Sequence, residues 1–366
     1  MQLEGIMPNH PPQITTTSRH WPTVGLTIAL GAVGGLVAKA LHFPLPMLLG
    51  ALLAVAGAAL AGWKPMGHSV QFPPRLRFVF IPIIGVAIGS TFTPAILAEV
   101  RFWWPSLLVL AVFIPIAHYL GFRLVSRSGK IDPMTALFGT APGGLIETVQ
   151  MAEERGGDPA MVTILQFLRV IVTIITVPVF FTWMTGHAVG SAGGATLARA
   201  PMTLAEVPWL IAAAVIGAGA GRAIRLPAGF MTGPILLSGL FHLTGWVEGS
   251  PPNVLVSITQ LVIGTALGVR FAGMPLSQVM VAARLSALST TVSIVLAIGV
   301  AFALAPFIGE PHAAVFLAFA PGGLAEMSLI ALSLQMSLVY VTAHHALRIV
   351  LAVLAARMLA ARVSRD

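Results

Sequence analysis

The chain has 366 residues, 57% of them hydrophobic and only 9% charged, with 20 Lys and Arg against 12 Asp and Glu. Soluble domains carry about a quarter charged residues, so this composition excludes a water-facing globule and points to an all-α polytopic membrane protein. The formal charge of +8 comes without aromatic-interleaved basic stretches, and cysteine is absent; nucleic-acid binding, disulfides, thiolate chemistry and Cys-based metal sites are therefore not expected.

Residues 1–20, MQLEGIMPNHPPQITTTSRH, hold an acid, paired prolines and no apolar core. They read as a flexible tail rather than a cleavable signal peptide. Six apolar segments follow within a first membrane repeat, 21–184, near 22–41, 44–62, 78–98, 103–124, 133–153 and 159–184. A Gly/Ala/Ser-rich linker spans 185–204. A second membrane repeat, 205–360, has segments near 205–224, 228–246, 254–273, 284–307, 312–333 and 336–358, before a tail at 361–366.

The two halves are copies. With a constant offset of 179, residues 141–169 match 320–348 at 11 of 29 positions, including APGGLIE (141–147) against APGGLAE (320–326). The same offset pairs Gly85, Gly89 and Phe92 with Gly264, Gly268 and Phe271; the glycines have GxxxG spacing, which predicts close helix contact. LHFPLPMLLG (41–50) and RLPAGFMTGP (225–234) pair Pro44 with Pro227 and Gly50 with Gly233. Both prolines are expected in the first turn of the second helix of their half.

Charge sets the orientation. In the first half Lys64, Arg75, Arg77, Arg123, Arg127 and Lys130 follow the second and fourth segments, whereas in the second half Arg222, Arg225, Arg270 and Arg284 follow the first and third. Such a swap fits a second half that lies upside down, which requires an odd number of crossings per half. If the fifth segment of each half is a re-entrant hairpin, fifteen Lys and Arg fall inside and three outside, against 11 and seven if all twelve segments span. The expected fold is thus two inverted repeats, each of five transmembrane helices plus one hairpin with an APGG tip. Each arm of about nine residues reaches roughly 13 Å at 1.5 Å per residue, near the midplane. Gly143-Gly144 and Gly322-Gly323 form the tips, and the half-helices that start there aim their amides at the centre, which favours an anion.

Four ionisable residues fall deep inside apolar segments, Glu147, Glu326, Arg169 and Arg348, and they are repeat equivalents. Such groups are costly in a bilayer and are functional candidates; the alternative is that each acid pairs with an arginine to pin its hairpin. Thr163, Gln166 and Arg169 share one face of the last helix of the first half, and Thr342, His345 and Arg348 repeat the arrangement. Either stripe could hold a planar carboxylate, or it could be a polar seam between helices. His344 and His345 point about 100° apart on a helix and cannot chelate one ion by themselves; no HExxH accompanies them, so no metal or other cofactor is expected. His345 titrating near neutral pH could instead carry a proton.

Paired APGG-x-x-E segments, each followed by a T-x-x-x-x-LR helix (Thr163 to Arg169 and Thr342 to Arg348), resemble the membrane AbrB-duplication family over about 21–360. Members of that family carry two labels, regulator of gene expression and ammonia monooxygenase. The family is also distantly similar to inverted-repeat ion and organic-anion transporters. The resulting expectation is a secondary transporter of the bacterial inner membrane, with both termini cytoplasmic, and no enzyme. A small organic anion would sit on Gly143, Gly144, Gly322 and Gly323 and on the two polar stripes, with Glu147 or Glu326 responding to H⁺ or Na⁺. A membrane-embedded regulator without transport and a membrane monooxygenase are the alternatives, and a homodimer is left open.

Overall fold

Proline and glycine cut the chain into α-helices in the computed structural model, which describes residues 20–185, 202–334 and 336–363. The first half contains α1 (Trp21–Ala40), α2 (Pro46–Leu60), α3 (Leu76–Gly89), α4 (Pro94–Val100), α5 (Trp104–Ser126), α6 (Pro133–Gly139), α7 (Leu145–Glu154) and α8 (Pro159–Thr185). The second contains α9 (Val207–Ala223), α10 (Gly229–Leu243), α11 (Asn253–Gly268), α12 (Leu276–Ile308), α13 (His312–Phe319), α14 (Leu324–Ser333) and α15 (Leu338–Val363). Proline occupies the first or second position of α1, α2, α5, α6 and α9, where its missing N–H leaves no intrahelical bond unmade. The expected N-terminal tail and the linker lie almost wholly outside the described residues. α15 continues through Val363, into the stretch expected as a C-terminal tail.

Among the described residues five helices are long and apolar enough to cross a membrane: Trp21–Ala40, Trp104–Ser126, Pro159–Trp183, Asn253–Phe271 and Leu276–Ile308. Four more, α2, α3, α9 and α10, are apolar but have only 14 to 17 residues, short of the roughly 20 that cover 30 Å of hydrocarbon.

Three boundaries differ from expectation. The third segment is two helices, because Thr93-Pro94 interrupts it and α4 restarts on the proline. α12 begins at Leu276 rather than near 284: nothing after Pro275 breaks a helix, and Arg284 is a charge inside the helix rather than a loop marker. The second helix of each half begins at Pro46 and Gly229, two residues after Pro44 and Pro227. The residues between, Leu45 (φ 44°) and Ala228 (φ 49°), are left-handed and cannot belong to the helix. His42 (φ 56°) and Arg225 (φ 55°) are matched in the same way. The duplication therefore extends to a strained backbone conformation that costs about 1–3 kcal/mol per residue.

Glycines set the helix spacing. α1 crosses α2 where Gly34 faces Gly50, and α9 crosses α10 where Gly217 and Gly221 face Gly233 and Gly229. α3 packs on α10, and a β-carbon at Gly85 would lie 2.7 Å from the Met231 carbonyl oxygen. α11 packs on α2, where Gly264 abuts the Leu48 carbonyl and a β-carbon at Gly268 would lie 2.8 Å from that of Val55. The GxxxG pairs thus make the close contacts their spacing predicts. Contacts between halves are reciprocal: α3 on α10 and α11 on α2, α12 on α8 and α5 on α15. Each half thus packs its helices on the equivalent helices of the other.

The two ends of each Pro-Gly-Gly unit lie close together. Asp132 caps α6 by accepting from Thr135 N at 2.8 Å, and Thr135 Oγ1 accepts from Asp158 N at 2.7 Å, so the start of α6 sits beside the residue that follows α7. In the second half Glu310, ahead of α13, stands beside Ser337, ahead of α15.

Gly233→Ala would drive a methyl group into the Gly217 carbonyl and should lower stability by about 1–3 kcal/mol. At Gly57 of α2 no atom lies within 4 Å of the added carbon, and Gly57→Ala should be neutral or stabilising by up to about 1 kcal/mol. Thermal unfolding in detergent checks both; equal losses would refute this packing account.

Candidate functional site

The helix breaks lie at Thr140–Gly144 and Ala320–Gly323, because proline cannot donate to the helix ladder and the glycines leave helical space. Gly144 is left-handed (φ 70°), whereas Gly323 is extended (φ −78°, ψ 150°). The first break lies against α15 of the other half: a β-carbon at Gly143 would stand 3.4 Å from that of Ala352, and one at Gly144 would strike Val353. Between the breaks is a cavity of about 230 Å³ lined by Gly143, Gly144, Gly322 and Gly323. Gln166 and Arg169 of α8, Glu326 of α14 and Arg348 of α15 complete its polar wall.

Arg169 and Arg348 are 6% and 3% exposed. Arg169 Nη1 donates to the Ala141 carbonyl; Arg348 Nη1 donates to the Ala320 carbonyl at 2.6 Å and Nη2 to that of Gly322. One turn earlier Gln166 Nε2 donates to the Phe138 carbonyl at 2.9 Å and His345 Nε2 to that of Leu317 at 2.8 Å. The Arg169 and Arg348 pairs, and the Gln166 and His345 pairs, each recur 179 residues on. The last helix of each half is thereby stitched to its own broken helix. Carbonyls at the end of a helix have no intrahelical partner, and the guanidinium and amide supply one. These partners are carbonyls rather than Glu147 or Glu326. Each arginine still has an Nε that is buried and without a partner.

The two acids occupy the third position of α7 and α14, near helix amides that favour negative charge. Their surroundings differ. Glu326 is buried, lines the cavity and folds its carboxylate over Gly323 so closely that no β-carbon would fit there. Glu147 is exposed and outside the cavity wall, although its carboxylate stays near Gly144. Thr163 Oγ1 donates to the Pro159 carbonyl at 2.7 Å, and Thr342 is 3.0 Å from Ser328 Oγ and lines a separate cavity with Phe92 and Ala346. Of the expected stripes, Gln166, Arg169 and Arg348 reach the cavity; Thr163, Thr342 and His345 do not line it. The adjacent histidines diverge as their helical spacing requires: His344 Nε2 is 2.8 Å from Ser106 Oγ on α5 and its Nδ1 2.8 Å from the Tyr340 carbonyl.

Sequence reasoning missed three contributors. Thr148 accepts a short hydrogen bond from Gln166 Nε2. Arg77, at the start of α3, lies within electrostatic reach of Glu326 and of Arg270. Arg270 stacks on Phe167, its guanidinium carbon 4.2 Å from the centroid, and Phe167 lines the cavity. In the sequence these two arginines look like loop charges, and no spacing rule links either to the breaks.

A family model described as Transition state regulatory protein AbrB matches residues 63–364. The chain belongs to the AbrB family. It is 25% identical over 352 residues to the uncharacterized protein YhjN of Bacillus subtilis (strain 168), which covers 89% of each chain. It is 26% identical over 318 residues to the regulator candidate AbrB of Escherichia coli (strain K12), covering 85% of this AbrB-family chain and 87% of that one.

Glu310, outside the apolar helices, is 9% exposed. Burial pushes its carboxyl pKa up, while the Ser337 hydroxyl and the Trp103 indole beside it pull the other way. A raised folded-state pKa gives a contribution fully present below the unfolded value and lost as pH rises through the folded one. Glu310→Gln should therefore match the parent near pH 4 and exceed it in melting temperature at neutral pH, at about pH 7. A gap of the opposite sign would contradict the burial argument.

Proposed function

We propose that this AbrB-family chain is a secondary active transporter of a small organic anion in the bacterial inner membrane. In this reading each half crosses the membrane five times and adds a re-entrant hairpin, the second half lying upside down. The swapped loop charges, the reciprocal contacts between halves and the closed ends of both Pro-Gly-Gly units support that topology. The observation that carries the function is the cavity between the breaks: two buried guanidiniums in its wall, at the N-terminal ends of two half-helices. Non-helical backbone at membrane depth is tolerated where it lines such a cavity.

Transport would proceed by alternating access. α6–α8 and α13–α15, with α5 and α12, form the body that carries the site; α1, α2 and α11 pack together, as do α9, α10 and α3. Sliding the first body against the other two groups, elevator-like, would expose the cavity to each side in turn. Glu326, folded on the tip beside the cavity, is the residue placed to couple the anion to H⁺ or Na⁺.

The family description and the regulator name of the Escherichia coli relative favour a second reading, a membrane-embedded sensor that binds its ligand without moving it. One experiment separates the two. A ligand at 100 times its dissociation constant should stabilise the purified protein by about 2.7 kcal/mol, and Arg348→Ala should remove that gain. In proteoliposomes the same ligand should enter under a proton or sodium gradient. Binding that depends on Arg348, with no flux under either gradient, would favour the sensor; binding indifferent to Arg348 would overturn the site itself.

A further inference from the structure

The cavity between the breaks holds more positive charge than one carboxylate can answer. Arg169 and Arg348 lie within electrostatic reach of one another, and both face it. Arg169 gives Nη1 to one carbonyl and Arg348 gives both Nη groups to two, so their hydrogen bonds are to neutral oxygens and neither charge is answered by a carboxylate. Arg77 and Arg270 do not line the cavity but adjoin residues that do: Arg77 is within electrostatic reach of Glu326, and Arg270 stacks on Phe167 and is within electrostatic reach of Arg77. Glu326 is the one carboxylate among the lining residues; it folds over its own helix start, within electrostatic reach of Arg348 and Arg77, and its single charge leaves the four arginines in excess.

Like charges gathered in a low-dielectric site repel strongly, and the repulsion is relieved only by counter-charge brought within a few ångströms. A monocarboxylate offers one pair of oxygens and can serve one guanidinium edge. Two guanidinium charges from opposite repeats, both in the cavity wall, call for more than one negative charge. We infer that the cavity is built for a compact ligand with two or more negative charges, a dicarboxylate or a phosphate, which spans Arg169 and Arg348 after passing Arg77 and Arg270. This rests on the anion-site reading above and deepens it to a substrate class. The volume, about 230 Å³, lies below the roughly 300 Å³ at which ordinary ligand pockets begin, which suits a ligand of few atoms. Arg77 and Arg270 act as positioning residues: half-buried and next to the lining residues Glu326 and Phe167, they attract the dianion and supply part of its counter-charge.

The probes are succinate, inorganic phosphate and acetate, each titrated against the full-length purified protein in detergent at low and high salt. Affinity is read by thermal shift and by calorimetry. Succinate or phosphate should bind at least about tenfold more tightly than acetate, with an advantage that shrinks in high salt. Arg77→Gln and Arg270→Gln, at half-exposed positions where folding should survive, should weaken dianion binding several-fold and acetate binding by a distinctly smaller factor, because the Coulomb energy scales with ligand charge. Arg77→Lys should restore most of the loss. Acetate binding as tightly as the dianions, and lost in Arg348→Gln, would sink the dianion inference and leave the anion site standing. Protection by none of the three probes at millimolar concentration would overturn both. Whichever dianion binds more tightly separates the carboxylate from the phosphate source.

Discussion

Two helices stop inside apolar sequence, and the carbonyls that each break strands must find donors. The rest of the molecule is arranged around that requirement. Water would satisfy such groups in a soluble protein; within a hydrocarbon layer each unmade bond costs several kcal/mol. Arg169 and Arg348 answer it by reaching 28 residues back along the chain to Ala141 and Ala320. Using an arginine for this places a full positive charge beside the break. The device that makes a broken helix tolerable thus also makes its neighbourhood attractive to anions.

Donors of this kind work only if the last helix of each half lies close against its broken partner, and small residues permit that. Gly143 lies within van der Waals distance of α15, and the glycine crossings of α1 on α2 and α9 on α10 hold the outer helices at the same close spacing. The exchange of partners between halves means that neither half is complete alone. α8 is covered by α12 of the other half, and α15 by α5.

Within this shared frame the halves have diverged where chemistry would be expected to differ. Gln166 makes one bond to the Phe138 carbonyl and another to Thr148; its counterpart His345 makes the carbonyl bond, but Met327 stands where a second Thr148 would be. Glu326 is sealed against its tip, and Glu147 is open. One half therefore keeps an acid at the cavity wall and the other does not.

The sequence by itself determined the membrane-like class, the duplication, the two breaks and the identity of the buried acids and arginines. Each of these is written in local features: apolar run length, a repeated heptapeptide, Pro-Gly-Gly and a charge in an apolar segment. Most helix limits followed too, apart from the split of the third segment at Thr93-Pro94 and places where a left-handed Leu45 or Ala228, or an uninterrupted α12, could not be told from its neighbours by composition. Tertiary structure alone decided what the buried charges touch. That Arg348 serves carbonyls rather than Glu326, that Thr163 and Thr342 turn away, and that Arg77 and Arg270 join the site are outcomes of helix rotation and of contacts between distant segments. A linear pattern can place a side chain on a face; which neighbour meets that face depends on how the helices close around the two breaks.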